Sequence, residues 1–304
     1  MASLSFCGCF KKKNPRFKDK YVKIKEIGRG GFGCAHLAKE KKSKKEVIVK
    51  VIEHKRIKKR KYWDSTLDLP NEIAVLQQLS HKNIVKLLTF YNEAEHIELV
   101  MEKHGDSKDL HDLRMSVFDG GSEFLWSFIF RQVVAAVSYM HSHKFTHGDI
   151  KMENVIVDRQ FRVKLIDFGA ARHWRDSDQR ELPFNYFCVT KLHAPPEIIN
   201  KHSFTGFPQD VWQLGILLFA LLFKQLPFSS NERIVSACLT FPPRETLRFS
   251  PAHRSLLLQM LMPHVDLRLT ISQVEHNPWV CQEGDKRSLD WDRIVVKPDE
   301  WNDD

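Results

Sequence analysis

The stretch HGDIKMEN, residues 147–154, runs directly into the apolar pair Val155 and Ile156. It places an aspartate, a lysine and an asparagine at Asp149, Lys151 and Asn154. A second aspartate, Asp167, opens DFG at residues 167–169, 18 residues after the first. Between them VIVDRQFRVKLID predicts two strands joined at residues 158–160. A hairpin of that size can return Asp167 to the neighbourhood of Asp149 and Asn154. Asn154 and Asp167 offer hard oxygen ligands suited to Mg²⁺. Asp149 can accept a hydroxyl proton. Each is an ordinary loop residue when taken alone; the information lies in their order and spacing.

Upstream, GRGGFG supplies Gly28, Gly30 and Gly33. Glycines at this spacing let backbone N–H groups approach phosphate without Cβ clashes. Dinucleotide-binding folds use the same spacing, but there a helix follows. Here CAHLAKE and KKSKK follow, which read as a strand and a turn. VIVK then ends in Lys50, expected on a strand, where its ammonium can neutralise phosphate oxygens. Glu72, in the helical pattern NEIAVLQQL, is suitably spaced to hold that lysine. The plainer alternative is a surface lysine in a lysine-rich region.

The 304 residues are 42% apolar, enough to bury a large core. The longest apolar run, VWQLGILLFALLF at 211–223, falls short of the ~18 residues of a bilayer span and contains Gln213, so it reads as a buried helix. The first residues do not have the order of a secretory signal. Six scattered cysteines fit a reducing, cytoplasmic setting. Charge is uneven: residues 1–61 hold 21 Lys/Arg against 5 Asp/Glu, and the remainder holds 26 against 33. A uniform nucleic-acid binder would not show this division, and no nucleic-acid partner is expected. A basic ligand is expected for the acidic body. Apart from the 155–167 hairpin the predicted strands lie before residue 103, and the rest of the chain is mainly helical. The expected fold is therefore α+β and bilobal: a small antiparallel β lobe with one helix at 21–101 and a larger helical lobe at 102–280. A basic tail at 1–20 and a second tail at 281–304 flank it. A cleft between lobes is the expected ligand site.

With these motifs in place, the chain resembles the eukaryotic-type protein kinases over about residues 21–280. CVTKLHAPPE resembles the end of an activation segment, with Thr190, Pro196 and Glu197. DVWQLG resembles the buried helix whose Asp210 props the catalytic loop, and Arg268 in DLRLT is placed to pair with Glu197. VMEKHGDSKDL, LIDFGAA and WVCQEGDKRSLDWDRI are similar to the PAS-domain serine/threonine kinases, with PIM-type kinases next. About 20 residues precede the match, fewer than a sensor domain requires.

The resemblance implies ATP and Mg²⁺ as cofactors and proteins with Ser/Thr acceptors as substrates. It places Gly28, Gly30 and Gly33 over the phosphates and pairs Lys50 with Glu72. Met101 would back the adenine pocket, with the backbone from Glu102 to His104 bonding the base. Asn154 and Asp167 would hold the metal, Asp149 would orient the acceptor hydroxyl, and Lys151 would stabilise the transferring group. Leu76, Leu87, His147 and Phe168 match a hydrophobic stack. Lys151 with Thr190 matches the serine/threonine class. Asp109 and Glu153 match positions that meet basic residues upstream of the acceptor.

Three positions depart from the family pattern. Gly148 stands where an arginine normally holds a phosphate on the activation segment, so activity without that phosphate is expected. The alternative is a loosened loop. Ala35 replaces a valine and Ile48 an alanine, which predicts a pocket of kept volume and shifted shape. The competing class is a pseudokinase or nucleotide-binding scaffold; the retained Lys50, Asp149, Asn154 and Asp167 favour the enzyme.

Weaker signals remain. His141, His143 and His147 lie close together, but His147 already belongs to the stack, so no metal site is expected there. EHKRIKKRK at 53–61 reads as a solvated insertion. Cys7 and Cys9 beside Lys11, Lys12 and Lys13 meet the needs of S-palmitoylation combined with anionic lipid, whereas Ala2 excludes N-myristoylation. An unmodified tail is the expected state, with membrane association as the alternative. Nothing in the sequence sets an oligomeric state.

Overall fold

The computed structural model describes residues 16–30, 33–55, 63–64, 69–117, 120–173, 191–202, 206–243 and 249–295. The alternating segments form β1 (Tyr21–Gly30), β2 (Gly33–Glu40), β3 (Glu46–Glu53), β4 (Leu87–Asn92) and β5 (His96–Glu102). They join in one sheet of order β1-β2-β3-β5-β4, with β1–β2, β2–β3 and β3–β5 antiparallel. Register pairs Ala35 with Lys50, Ile48 with Met101 and Lys50 with Leu99. Side chains alternate across a strand, so Ala35, Ile48, Lys50 and Met101 share one face.

The opposite face carries Ala38, Val47, Val49 and Val100, packed with Phe17 and Tyr21. Residues 16–20 are therefore not a loose tail. Phe17 stacks on Tyr21 at 5.4 Å and meets Tyr91 edge-on at 5.8 Å, which seats the short helix Phe17–Lys20 on the sheet.

The chain divides into two compact units: Met1–Lys59 with Leu88–Lys103, and Arg60–Leu87 with His104–Asp304. The helix Asn71–Leu76, expected in a small lobe, groups with the second unit because it packs against residues Phe168–Ala170. It is also three residues shorter than its apolar period predicts.

The core of the second unit is built on two long helices. Ser122 caps Glu123–Ser142 by accepting from the Leu125 N–H. Leu125, Trp126, Ile129, Phe130, Val133 and Val137 form its fully buried stripe. Gly206–Phe223 is long and apolar enough to cross a membrane, but 89% of it is buried inside the protein. It starts five residues before the apolar run, and those extra residues carry Gln209 and Asp210, which bond the 147–148 backbone. The 281–304 tail also differs from expectation: residues 281–295 fold onto this unit, ending where Val295 bridges Val117.

Candidate active site

The 147–154 segment begins at a short strand. Phe145–Thr146 pairs with Arg172–His173 and so ties the segment to the chain just beyond DFG. Asp210, fully buried on the Gly206–Phe223 helix, then fixes three partners. Its Oδ2 accepts from His147 N at 2.9 Å and lies 2.9 Å from His141 Nε2. Its Oδ1 accepts from Gly148 N at 2.8 Å. Gln209 and Gln213 each donate to the Gly148 carbonyl at 2.9 Å, and Gln213 Oε1 accepts from Ile150 N at 3.0 Å. Buried backbone groups of this loop are thus paired by side chains of one helix. The two glutamines were not singled out as site residues. The legible signal was Gln213, a polar residue one turn after Asp210 in an otherwise apolar run.

Beyond this anchor the functional groups converge. Asp149 is 5% exposed. Its Oδ2 accepts from Asn154 Nδ2 at 3.0 Å and lies 3.0 Å from Lys151 Nζ. Its Oδ1 is buried and has no hydrogen-bond partner among the described residues. The predicted strands form as Val155–Asp158 and Val163–Leu165. They return the chain so that Ile166 N donates to Asn154 O at 2.9 Å, which places Asp167 beside Asn154. Asp167 takes a left-handed conformation and accepts from Gly169 N at 3.3 Å. His147 and Phe168 meet edge-on at 5.0 Å, and His147 Nε2 bonds Ile166 O at 3.1 Å. The three histidines are thereby separated in role, since His143 Nδ1 turns to the Tyr139 carbonyl at 2.9 Å.

Further out, Glu197 and Arg268, the two positions that the resemblance pairs, form a two-pronged pair at 2.7 and 2.9 Å. Asp109 caps the helix Leu110–Ser116 by accepting from Asp112 N at 2.8 Å, and burial pushes its carboxyl pKa up. Glu153 is exposed. His193 was not anticipated. Its Nδ1 is buried without a partner among the described residues, and burial lowers its pKa more than the nearby Glu153 and Asp149 carboxylates raise it. Thr190, Cys7, Cys9, Lys11, Lys12 and Lys13 lie outside the described residues.

In the first unit, Gly28 and Gly30 lie on β1, and Gly33 opens β2 opposite Gly30. A Cβ at Gly33 would sit 2.1 Å from the Val51 carbonyl oxygen, so only glycine fits there, while Gly28 faces open space. Lys50 is half-buried on β3, and Met101 and Glu102 end β5. In the second unit, Glu72 is buried at 3% exposure. His104 lies in the same unit, with Nε2 2.9 Å from the Arg162 carbonyl.

A family model described as the protein kinase domain matches residues 21–280. The PAS domain-containing serine/threonine-protein kinase of Mus musculus is 35% identical over 281 residues, which are 90% of this chain and 19% of that protein. Serine/threonine-protein kinase PSK1 of Saccharomyces cerevisiae is 33% identical over 276 residues, 87% of this chain and 19% of its own length. Serine/threonine-protein kinase ppk6 of Schizosaccharomyces pombe is 35% identical over 286 residues, 91% and 35% of the two chains. The chain thus spans only about a fifth to a third of the length of these relatives.

Proposed function

Because the chain belongs to the protein kinase family, we propose that it transfers the γ-phosphate of ATP, bound with Mg²⁺, to serine and threonine hydroxyls of proteins. The observation that carries this is the Asp149 carboxylate. One oxygen is held by Lys151 and Asn154 while the other is buried without a partner among the described residues. A carboxylate so fixed can orient an incoming hydroxyl and accept its proton.

The donor set fits a magnesium ion. The Asn154 amide nitrogen is engaged by Asp149, which leaves its carbonyl oxygen as the ligand end, and Asp167 adds a carboxylate. The bound metal supplies charge neutralisation to the phosphates. Lys151 steadies Asp149 and brings positive charge to the same place. Positioning and electrostatics of this kind account for most of phosphoryl-transfer catalysis. Lys151, and the names of the relatives, favour serine and threonine as acceptors.

Substrates with basic residues before the acceptor fit the acidic body of the chain. Glu153 is the better-placed contact, because one Asp109 oxygen is engaged in capping a helix. A cytoplasmic setting agrees with the cysteine usage. The test is phosphate incorporation into a peptide array from Mg-ATP, comparing the unaltered chain with Asp149→Asn. A loss of about 100-fold or more is expected in the variant. No incorporation above that variant would leave the scaffold reading standing.

A further inference from the structure

Residues 282–295 form a strap with a destination. Gln282 Nε2 donates to the Glu123 carbonyl at 3.3 Å, and at the far end Val295 bridges Val117. Between these points Trp291 lies on Phe161, ring centroids 5.2 Å apart. Arg159 stands between strap and linker, 3.7 Å from Asp292 and 3.4 Å from Asp106.

Phe161 is fully buried and holds a left-handed φ of +54°. A bulky side chain keeps that conformation only where its surroundings impose it. Asp158, 1% exposed, supplies one constraint. Its Oδ1 accepts from Gln160 N at 3.0 Å and Arg162 N at 2.9 Å, and its Oδ2 accepts from Arg162 Nε at 2.7 Å. Trp291 supplies the other. The turn so fixed reaches the linker that follows β5. His104 Nε2 lies 2.9 Å from the Arg162 carbonyl and 3.7 Å from Asp158 Oδ2, and a Cβ at Gly105 would touch Asp158 at 3.6 Å. Contact is continuous from Trp291 through Phe161 and Asp158 to His104.

We propose that Asp158 and Trp291 are positioning residues for nucleotide. The strap fixes the 158–162 turn, and the turn fixes His104 and Gly105, hence the backbone at His104. The inference rests on the reading that this backbone bonds adenine. A purely structural role predicts lower thermal stability alone; a positioning role predicts a change confined to nucleotide affinity.

The test uses the full chain, with ADP affinity by calorimetry, KM for ATP, kcat and thermal unfolding. Trp291→Ala is expected to weaken ADP binding and raise KM for ATP roughly threefold to tenfold, with kcat within about twofold of the unaltered chain. Trp291→Phe should restore affinity. Arg287→Ala, which removes only an exposed pair inside the strap, should change nothing. His104→Leu cuts the same contact from the other end. Its effect should match that of Trp291→Ala, and the double variant should be no worse than either, because residues acting through one element are not additive. If Trp291→Ala does not fold, His104→Leu decides alone. Unchanged ADP affinity in a folded variant, or additive effects, overturns the inference. Absence of ADP binding by the unaltered chain overturns the functional reading and this inference with it.

Discussion

Gly148 N donates to Asp210 Oδ1 at 2.8 Å, and the same carboxylate takes the amide of the preceding residue on its other oxygen. Drawing two successive amides onto one buried carboxylate bends the loop. At Gly148 the bend is a φ of +78°, and a Cβ there would sit 2.9 Å from the Ala170 carbonyl oxygen. The residue read in the sequence as a missing phosphate clamp is also one whose backbone leaves no room for a side chain. Glycine holds this conformation without strain, and the amides of His147, Gly148 and Ile150 and the Gly148 carbonyl are engaged by the helix.

Gly148→Ala should therefore destabilise the fold by about 1–2 kcal/mol, the usual penalty for a side chain in a left-handed conformation. It should also lower kcat, because Asp149 is the next residue. Denaturant unfolding and initial rates measure the two effects. A variant as stable and as active as the unaltered chain would show that the loop relaxes freely at this point.

Activity should also survive phosphatase treatment. With no arginine at position 148 to receive it, an activation-segment phosphate has lost its usual cation there. Rates before and after treatment should agree within about twofold; a collapse would show that another cation does the work.

The Glu197–Arg268 pair gives a prediction about stability. Both residues are buried, at 7% and 5% exposure, and Arg268 also donates to the Pro208 and Met262 carbonyls at 3.0 Å each. Removing one partner strands the other charge in the interior. Arg268→Ala should cost about 3–5 kcal/mol. Arg268→Lys should recover only part of it, since an ammonium cannot present the planar fork. Chemical denaturation of the three proteins checks the order.

Much of this was legible in the sequence because it depends on spacing. The hairpin that joins Asn154 to Asp167 follows from alternation and a turn, whereas the Glu197–Arg268 pair was implied only by the resemblance to the kinase family. The glycine-rich strands likewise followed from the residues after Gly33. The rest depends on long-range burial, which period and composition do not encode. Nothing local in Trp291 announces that it will cover Phe161, and Phe17 sits in a basic stretch that reads as tail until Tyr21 and Tyr91 are seen to flank it. His104 shows the limit within a single residue. Its place in the linker was readable, but the turn its side chain holds was not.

His253 should make stability depend on pH. It is fully buried beside Phe223 and Phe249, each 5.8 Å away between ring centroids. Burial pushes its pKa below the ordinary 6.5, against the opposing pull of the nearby Ser250 backbone and the Glu123 charge. The unfolded chain takes up a proton near pH 6.5, whereas the folded chain resists until lower pH. Stability should therefore fall as pH drops below about 6.5 and level off once the folded form is also protonated. His253→Phe removes that contribution, so the slope of unfolding free energy between about pH 5 and 7 should be shallower in the variant. Equal slopes would assign the dependence to other groups.

The exchanged pair Ala35 and Ile48 gives the last prediction. Both lie on the face that carries Lys50 and Met101. Ala35 stands directly across from Lys50, and Ile48 is two residues before that lysine, which makes the two side chains diagonal neighbours. A smaller residue at one position and a larger one at the other can keep the volume while moving the surface that a base would meet. Restoring only one family residue breaks this balance. Ala35→Val alone should crowd the face and Ile48→Ala alone should leave a gap. Each should weaken ADP binding by about fivefold, given that a methylene in a pocket changes affinity by roughly 1 kcal/mol or more. The double variant should bind close to the unaltered chain, with a coupling of about 2 kcal/mol between the two sites. Calorimetry on the four proteins closes the cycle. If Ile48→Ala alone improves affinity, the two positions do not compensate one another, and the isoleucine is a handicap to nucleotide binding.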